Sequence, residues 1–321
     1  MGKAARRKRI CLYASLSVLG TVVASTQPPQ QHSATSSLQI SDLQKQIKAE
    51  EAAHAGAQQQ ATHWIALADA YEEVSDLESA EDAFAHAIRL LRETGARDLY
   101  TNALDGIATI YFATGRANTA ERCLRQAVEL EHPVGDSTAE AIIRRDLAAA
   151  LIAERKYTEA EEQASEAIRL LEAQADPNVG ETIVAYLTRS RALCGMRRCK
   201  EALKDVDRAE ALAVYKIGAN PVDIITIAAL RGEEQFRSGA VEQGQRTIQQ
   251  ALSLVDRGTE IPASFQIRLR VRLLEEYAQL LGSAHRKQER KKVEEEIARA
   301  KAQQPGCNGC TVSAATIGLF P

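Results

Sequence analysis

The residues with most chemical potential are the cysteines. Cys307-Asn308-Gly309-Cys310 forms a Cys-x-x-Cys near the end of the chain, Cys194 and Cys199 stand five apart, and Cys123 and Cys11 are isolated. Thr311 stands where c-type haem attachment needs a histidine, so that chemistry is excluded. A thioredoxin-like redox centre needs a βαβ context that the flanking sequence does not supply. A zinc site from Cys194, Cys199, Cys307 and Cys310 would require the tail to fold back. Disulfide or ordinary thiols, metal site and redox centre thus stay open. The first is favoured, with Cys307–Cys310 as the candidate disulfide.

Other catalytic constellations are missing from the sequence. There is no phosphate-cradling glycine loop, no Gly-x-Ser-x-Gly elbow and no His-Glu-x-x-His. The six histidines (His32, His54, His63, His86, His132, His285) lack ligand spacing. Neighbouring acids such as Glu72-Glu73 and Glu161-Glu162 diverge on a helix and read as solvated faces. The expectation is a protein that is not an enzyme and has no catalytic residue, cofactor or metal.

The elements that carry these residues begin after a separable leader. Lys3, Arg6, Arg7, Lys8 and Arg9 precede an uncharged, mostly apolar run from Ile10 to Ala24, which ends Val22-Val23-Ala24. Basic cluster, short apolar run and small-residue exit describe a secretory signal, expected to be cleaved near Ala24. An uncleaved inner-membrane anchor over residues 10–24 and a cytosolic protein are the alternatives. Arg6-Arg7 lacks a twin-arginine context, and Cys11 lies too early for a lipoprotein signal. Periplasmic or secreted location follows as an expectation. Removing the leader leaves 35 basic against 43 acidic residues, a net charge of −8. That balance argues against nucleic acid as a partner, because phosphate binding needs a basic stripe. Contact with a membrane is expected only through an uncleaved N-terminus.

Residues 25–40 are rich in Ser, Thr, Gln and Pro and read as a flexible linker, with a helix opening at Ser41-Asp42. Beyond it, small residues recur in three columns: Ala68, Ala108, Ala148, Ser190 and Gly232; Ala80, Ala120, Ala160, Ala202 and Gly244; Ala87, Ala127, Ala167, Ala209 and Ala251. All three columns step by 40, 40, 42 and 42 residues. Helix pairs that stack on one another require small side chains where axes cross about 8–10 Å apart. Larger residues (Leu67, Tyr71 and Phe84; Ile107, Tyr111 and Leu124) fill the space between. Gly115 and Gly239 mark reversals within pairs. His132-Pro133, Asp176-Pro177 and Asn220-Pro221 mark boundaries between pairs. Hydrophobic residues at 45% with aromatics at only 4% fit such tight helix packing.

Trp64, Leu67, Ala68, Tyr71, Ala80, Phe84 and Ala87 resemble the tetratricopeptide repeat, in the roughly 42-residue variety of kinesin light chains and exported bacterial proteins. The resemblance covers residues 62–255. It implies an all-α, right-handed superhelical solenoid of stacked antiparallel helix pairs over residues 41–303, with 304–321 as a Cys-containing tail. Five clear pairs are expected, then a degenerate sixth from Ile267 through Leu273, Leu274, Tyr277, Ala278 and Leu281 whose charged second helix caps the array. Arg231 and Gln235 stand where Leu and Tyr are expected. The fifth pair is therefore expected to be the loosest, and Gly244→Ala to stabilise it.

The resemblance further implies a non-catalytic scaffold that binds a peptide or protein segment in a concave groove lined by the first helix of each pair. Carrying over the inward-facing offsets gives Asp69, Glu72 and Glu73; Asp105, Thr109 and Phe112; Arg145 and Ile152; Leu187 and Arg191; and Glu233, Phe236 and Arg237. The groove would be acidic at its N-terminal end and more basic and apolar beyond. The Lys/Asn/Arg set by which some relatives clamp a terminal carboxylate is absent. An envelope redox accessory or a membrane-tethered assembly factor using the tail is the alternative function.

Overall fold

The computed structural model describes residues 29–302, apart from 75, 132–136, 176, 216–220, 259–260 and 262. The leader at 1–24, Cys307, Cys310 and the tail at 304–321 lie outside the described residues, as do the boundary residues His132, Pro133, Asp176 and Asn220. Among the described residues there are thirteen α-helices and no strand. Two compact units meet in sequence at Glu154 and Arg155.

The first unit holds α1 (Pro29–Ala52), α2 (Ala57–Glu73), α3 (Leu77–Leu91), α4 (Arg97–Ala113), α5 (Ala117–Glu131) and α6 (Ser137–Ala153). Each helix packs on the next in sequence, and α2 also touches α4. Helix α3 shows why. Ala80, Ala83, Phe84, Ala87 and Leu91 repeat at helical spacing and are all buried, and the Asp76 carboxylate caps the helix by accepting from the Ser79 amide. Trp64 of α2 stacks on His86 of α3 with ring centroids 4.5 Å apart.

Helix α1 corrects the expected linker. It runs unbroken through residues 29–40 and through the expected start at Ser41-Asp42. Ile40, Leu43 and Ile47 form an i, i+3, i+7 stripe that packs on the first pair, so a boundary drawn at residue 41 cuts through an apolar face. Polar ties support it: Gln44 Nε2 donates to the Tyr71 hydroxyl at 2.8 Å, and Glu50 meets His63 Nδ1 at 2.9 Å.

The second unit holds α7 (Tyr157–Glu172), α8 (Val179–Gly195), α9 (Cys199–Tyr215), α10 (Pro221–Arg237), α11 (Val241–Arg257), α12 (Ala263–Ser283) and α13 (Lys287–Ala302). Again each helix packs on its successor, and α8, α10 and α12 touch in turn. Pro221 opens α10, and Pro177 precedes Asn178, whose side chain caps α8 by accepting from the Glu181 amide. Every alanine of the three columns, and Ser190, is at most 1% exposed. Such complete burial is what the packing argument requires of the crossing positions.

The turns within pairs share one device. Gly115, Arg155, Arg197, Gly239 and His285 hold the same turn position with positive φ, between +59° and +93°. At Gly115 the turn is closed by two reversed bonds, Gly115 N–H to Phe112 C=O and Arg116 N–H to Tyr111 C=O. The α8–α9 turn repeats this pattern at Arg197 and Arg198, and Cys194 and Cys199 close it covalently as a disulfide. Arginines beside two of these turns reach back to the preceding pair. Arg116 binds both oxygens of Glu81, and Arg286 binds Glu242 at 2.6 Å.

The fifth pair, α10 and α11, departs from the expectation of looseness. A Cβ on Gly244 would lie 2.6 Å from the Gly232 carbonyl oxygen and 2.7 Å from the Phe236 amide nitrogen. These glycines let two backbones touch, so Gly244→Ala collides where a stabilising methyl was expected. Arg231 and Gln235 exchange lost apolar packing for polar ties. Arg231 bridges Asp207 and Glu210 of α9 at 2.6 Å each, and buried Gln235 accepts from the Thr247 hydroxyl at 2.7 Å.

Candidate functional site

The first helices of the pairs carry the candidate residues, and the two units arrange them differently. In the first unit, Asp69, Glu72 and Glu73 lie on α2, and Asp105, Thr109 and Phe112 on the touching α4. Burial pushes the Glu72 carboxyl up to about 8, and the charges of Asp69 and Asp105 push the same way. Burial, then Glu73, raises Asp69 to about 6 although its side chain reaches solvent. Crowded carboxylates share protons in this way because each charge disfavours the next. Glu72 and Asp69 thus carry less negative charge near neutral pH than two ordinary carboxylates.

Several residues expected on an open face are instead buried. Phe112, Ile152, Leu187 and Phe236 are all below a tenth exposed. Phe236 meets Tyr277 of α12 edge-on, with centroids 6.4 Å apart. Arg145 is buried too, and spans both oxygens of Asp146 at 2.9 Å. In the second unit, contact of α10 with α12 covers Phe236. Thr109 turns its hydroxyl back to the Asp105 carbonyl at 3.3 Å.

In the second unit the structure brings together Arg191 of α8 with Glu233 and Arg237 of α10. It adds two residues that the sequence pattern missed, Arg272 and Glu276 of α12. Arg237 pairs with Glu233 at 2.6 Å and Arg272 with Glu276 at 3.3 Å. Burial lowers the pKa of Arg191; Glu233 and Glu276 oppose this, and Arg272 and Arg237 reinforce it. The i, i+4 spacing of Arg272 and Glu276 was the available signal, hidden because the sixth pair matches the repeat poorly. Behind this group, buried Glu234 lies 2.6 Å from the Ser190 hydroxyl and is pushed up to about 8 by burial, then by Glu233.

Among the described residues no group of three or more His, Cys, Asp or Glu could hold a metal ion, and no helix is long and apolar enough to cross a membrane. The candidate residues form two charged helix faces, one acidic and one mixed.

Residues 59–131 and 98–173 match the tetratricopeptide repeat family. No curated protein matches the chain. Solved structures do. BtubC (BKLC) from P. vanneervenii is 17% identical over 73% of this chain and 93% of its own, with a TM-score of 0.57. A putative kinesin light chain with nearly identical repeats from Podosopora anserina is 15% identical over 62% and 95%, with a TM-score of 0.53. The apo form of RapI is 11% identical over 77% and 86%, with a TM-score of 0.64. Residues 59–173 thus carry tetratricopeptide repeats, and the described residues form an all-α repeat solenoid similar to that of a putative kinesin light chain.

Proposed function

We propose that this chain is a non-catalytic scaffold that binds another protein through the charged first-helix faces. The observation that carries the reading is the placement of unlike charge. Acids gather on α2 and α4, and arginines join acids in the group on α8, α10 and α12. Such faces steer and orient a charged partner more than they add raw affinity. The full chain, immobilised, is exposed to the envelope fraction of the host beside a variant carrying Asp69→Ala, Glu73→Ala and Arg191→Glu. A partner held by the first and lost or slowed with the second, most visibly at low salt, supports the reading. An identical partner set and identical association rates would place the binding surface elsewhere.

Export is part of the proposal. It is supported by the basic and apolar leader and, independently, by the Cys194–Cys199 disulfide, because disulfides persist in oxidising compartments. N-terminal sequencing should find mature protein beginning near Ser25. Alkylation before reduction should leave Cys194 and Cys199 unlabelled. Cytosolic protein that retains Met1–Ala24 with both thiols free counts against export.

A further inference from the structure

Where α8 touches α10, two buried polar atoms have no hydrogen-bond partner among the described residues: Glu234 Oε2 and Arg191 Nε. Glu234 is 1% exposed, and its other oxygen lies 2.6 Å from the hydroxyl of Ser190, the residue before Arg191. The Arg191 charge reaches Glu234 and favours its ionised form, so cation and carboxyl are neighbours. The Leu187 carbonyl, 3.0 Å from the Ser190 hydroxyl, explains how they stay apart. A protonated Glu234 donates to Ser190, which donates onward to Leu187, and that chain needs no cation. Ionisation breaks the chain, because Ser190 has one proton for two acceptors. A buried carboxylate then needs a donor, and Arg191 offers one on the next residue of α8.

We propose that Glu234 and Arg191 form a proton-controlled latch between α8 and α10. With its proton, Glu234 binds Ser190 and leaves the guanidinium to the charges of Glu233 and Glu276. Without it, the carboxylate turns to Arg191 Nε and draws the guanidinium inward. The charged groups that act on Glu234 are Arg191 from α8 and Glu233 and Arg237 on its own helix. Helix α12 adds Arg272 and Glu276 around Arg191. Arg231, also on α10, turns to Asp207 and Glu210 of α9, and α11 meets α10 backbone to backbone at Gly244. Burial, then Glu233, pushes Glu234 up to about 8, so the latch closes as pH rises through the mildly basic range. Closure takes positive charge away from Glu233 and Glu276. The latch is internal to the second unit and stands or falls independently of the scaffold reading.

The test is NMR on the full chain, labelled with ¹³C,¹⁵N-arginine and ¹³C-carboxyl glutamate and titrated with base at constant salt. The Arg191 ¹⁵Nε signal, read through its ¹³Cζ, is assigned by its loss in Arg191→Met. The Glu234 carboxyl is assigned by its loss in Glu234→Gln. Both signals should move together, with one midpoint near pH 8. In Glu234→Gln the Arg191 signal should stay still over that range. In Arg191→Met the Glu234 midpoint should rise by about one pH unit or more, because the ionised form loses its cation. Ser190→Ala should lower the midpoint, because the neutral form loses its acceptor, and it serves as the test if Arg191→Met fails to fold. Separate midpoints in the parent, or an Arg191 signal that titrates unchanged in Glu234→Gln, would overturn the latch. A Glu234 midpoint in the ordinary carboxylate range would do the same. So would a higher midpoint in Ser190→Ala, since Ser190 would then be serving the ionised form.

Discussion

The first and fifth helix pairs occupy the same repeat register and solve the same crossing differently. In α2 and α3 the crossing positions are Ala68 and Ala80, both fully buried, and the neighbouring space is filled by Phe84. The Phe84 ring lies over Gly106 of α4, where a Cβ would come within 2.4 Å of two ring carbons. In α10 and α11 the crossing positions are Gly232 and Gly244, and backbone meets backbone. A small-residue column thus specifies a close approach but not its closeness. Alanine leaves room for a methyl between helices, while paired glycines remove that room and give up helix propensity of about 1 kcal/mol each.

The sharpest way to break this comparison is to exchange the two solutions. Gly244→Ala should destabilise by about 2–3 kcal/mol, because both atoms nearest the new methyl are backbone and cannot rotate away. Ala80→Gly should cost only about 1–2 kcal/mol, from propensity and a small void. Urea unfolding of the full chain, read alongside peptide-resolved hydrogen exchange, separates the two. If Gly244→Ala is neutral or stabilising, the glycine contact is slack and the original expectation of a loose fifth pair returns.

The fifth pair also buries an acid more completely than the first pair, whose Glu72 stays partly exposed. Glu234 is 1% exposed, and its Oε2 has no hydrogen-bond partner among the described residues. The groups that face it are Ser190 and Arg191 from α8, with Glu233 and Arg237 on its own helix. Ser190 has a single proton and two acceptors in reach, Glu234 at 2.6 Å and the Leu187 carbonyl at 3.0 Å. A protonated Glu234 resolves the conflict by donating to Ser190, which donates onward to Leu187. Its folded pKa of about 8 lies above the ordinary 4.5, so the folded state holds a proton that the unfolded chain has released. This contribution to stability is complete below pH 4.5 and is lost as pH rises towards 8. Glu234→Gln should therefore melt with the parent near pH 4.5 and exceed it by about 1–2 kcal/mol near pH 8. Parallel pH profiles would show that the carboxyl is ionised in the fold.

Periodicity made the columns, the turn glycines and the pair boundaries legible, because each reflects a local demand on one helix or turn. It grouped Asp69 with Glu72 and Asp105, and Arg191 with Glu233 and Arg237. What it missed depends on neighbours. Spacing says on which side of its own helix Phe236 lies, but not that Tyr277 of α12 covers it. Asp146 follows Arg145 directly, so no helical spacing marks it as a partner. Arg272 and Glu276 lie in a sixth pair that lacks the repeat's markers, so spacing does not point to them. The Ser- and Gln-rich start of α1 obscures the stripe at Ile40, Leu43 and Ile47.

The turns extend the comparison at the smallest scale. The α4–α5 turn places Gly115 at φ +77°, whereas the α8–α9 turn places Arg197 at φ +66° in the same position. An L-residue with a Cβ is strained in that region by roughly 1–2 kcal/mol, which glycine avoids. Glycine also enlarges the conformational freedom of the unfolded chain, and this returns part of the gain. Arg197→Gly should therefore stabilise by only about 0.5–1 kcal/mol, and Gly115→Ala should destabilise by about 1 kcal/mol. The disulfide supplies the control. Cys194 and Cys199 hold the α8–α9 turn closed in both states of the chain, so reduction should enlarge the difference between Arg197 and its glycine variant. Thermal melts of both proteins, oxidised and reduced, give the four values needed. An Arg197→Gly variant that melts lower than its parent in either redox state would mean that the arginine side chain contributes more than its backbone strain costs.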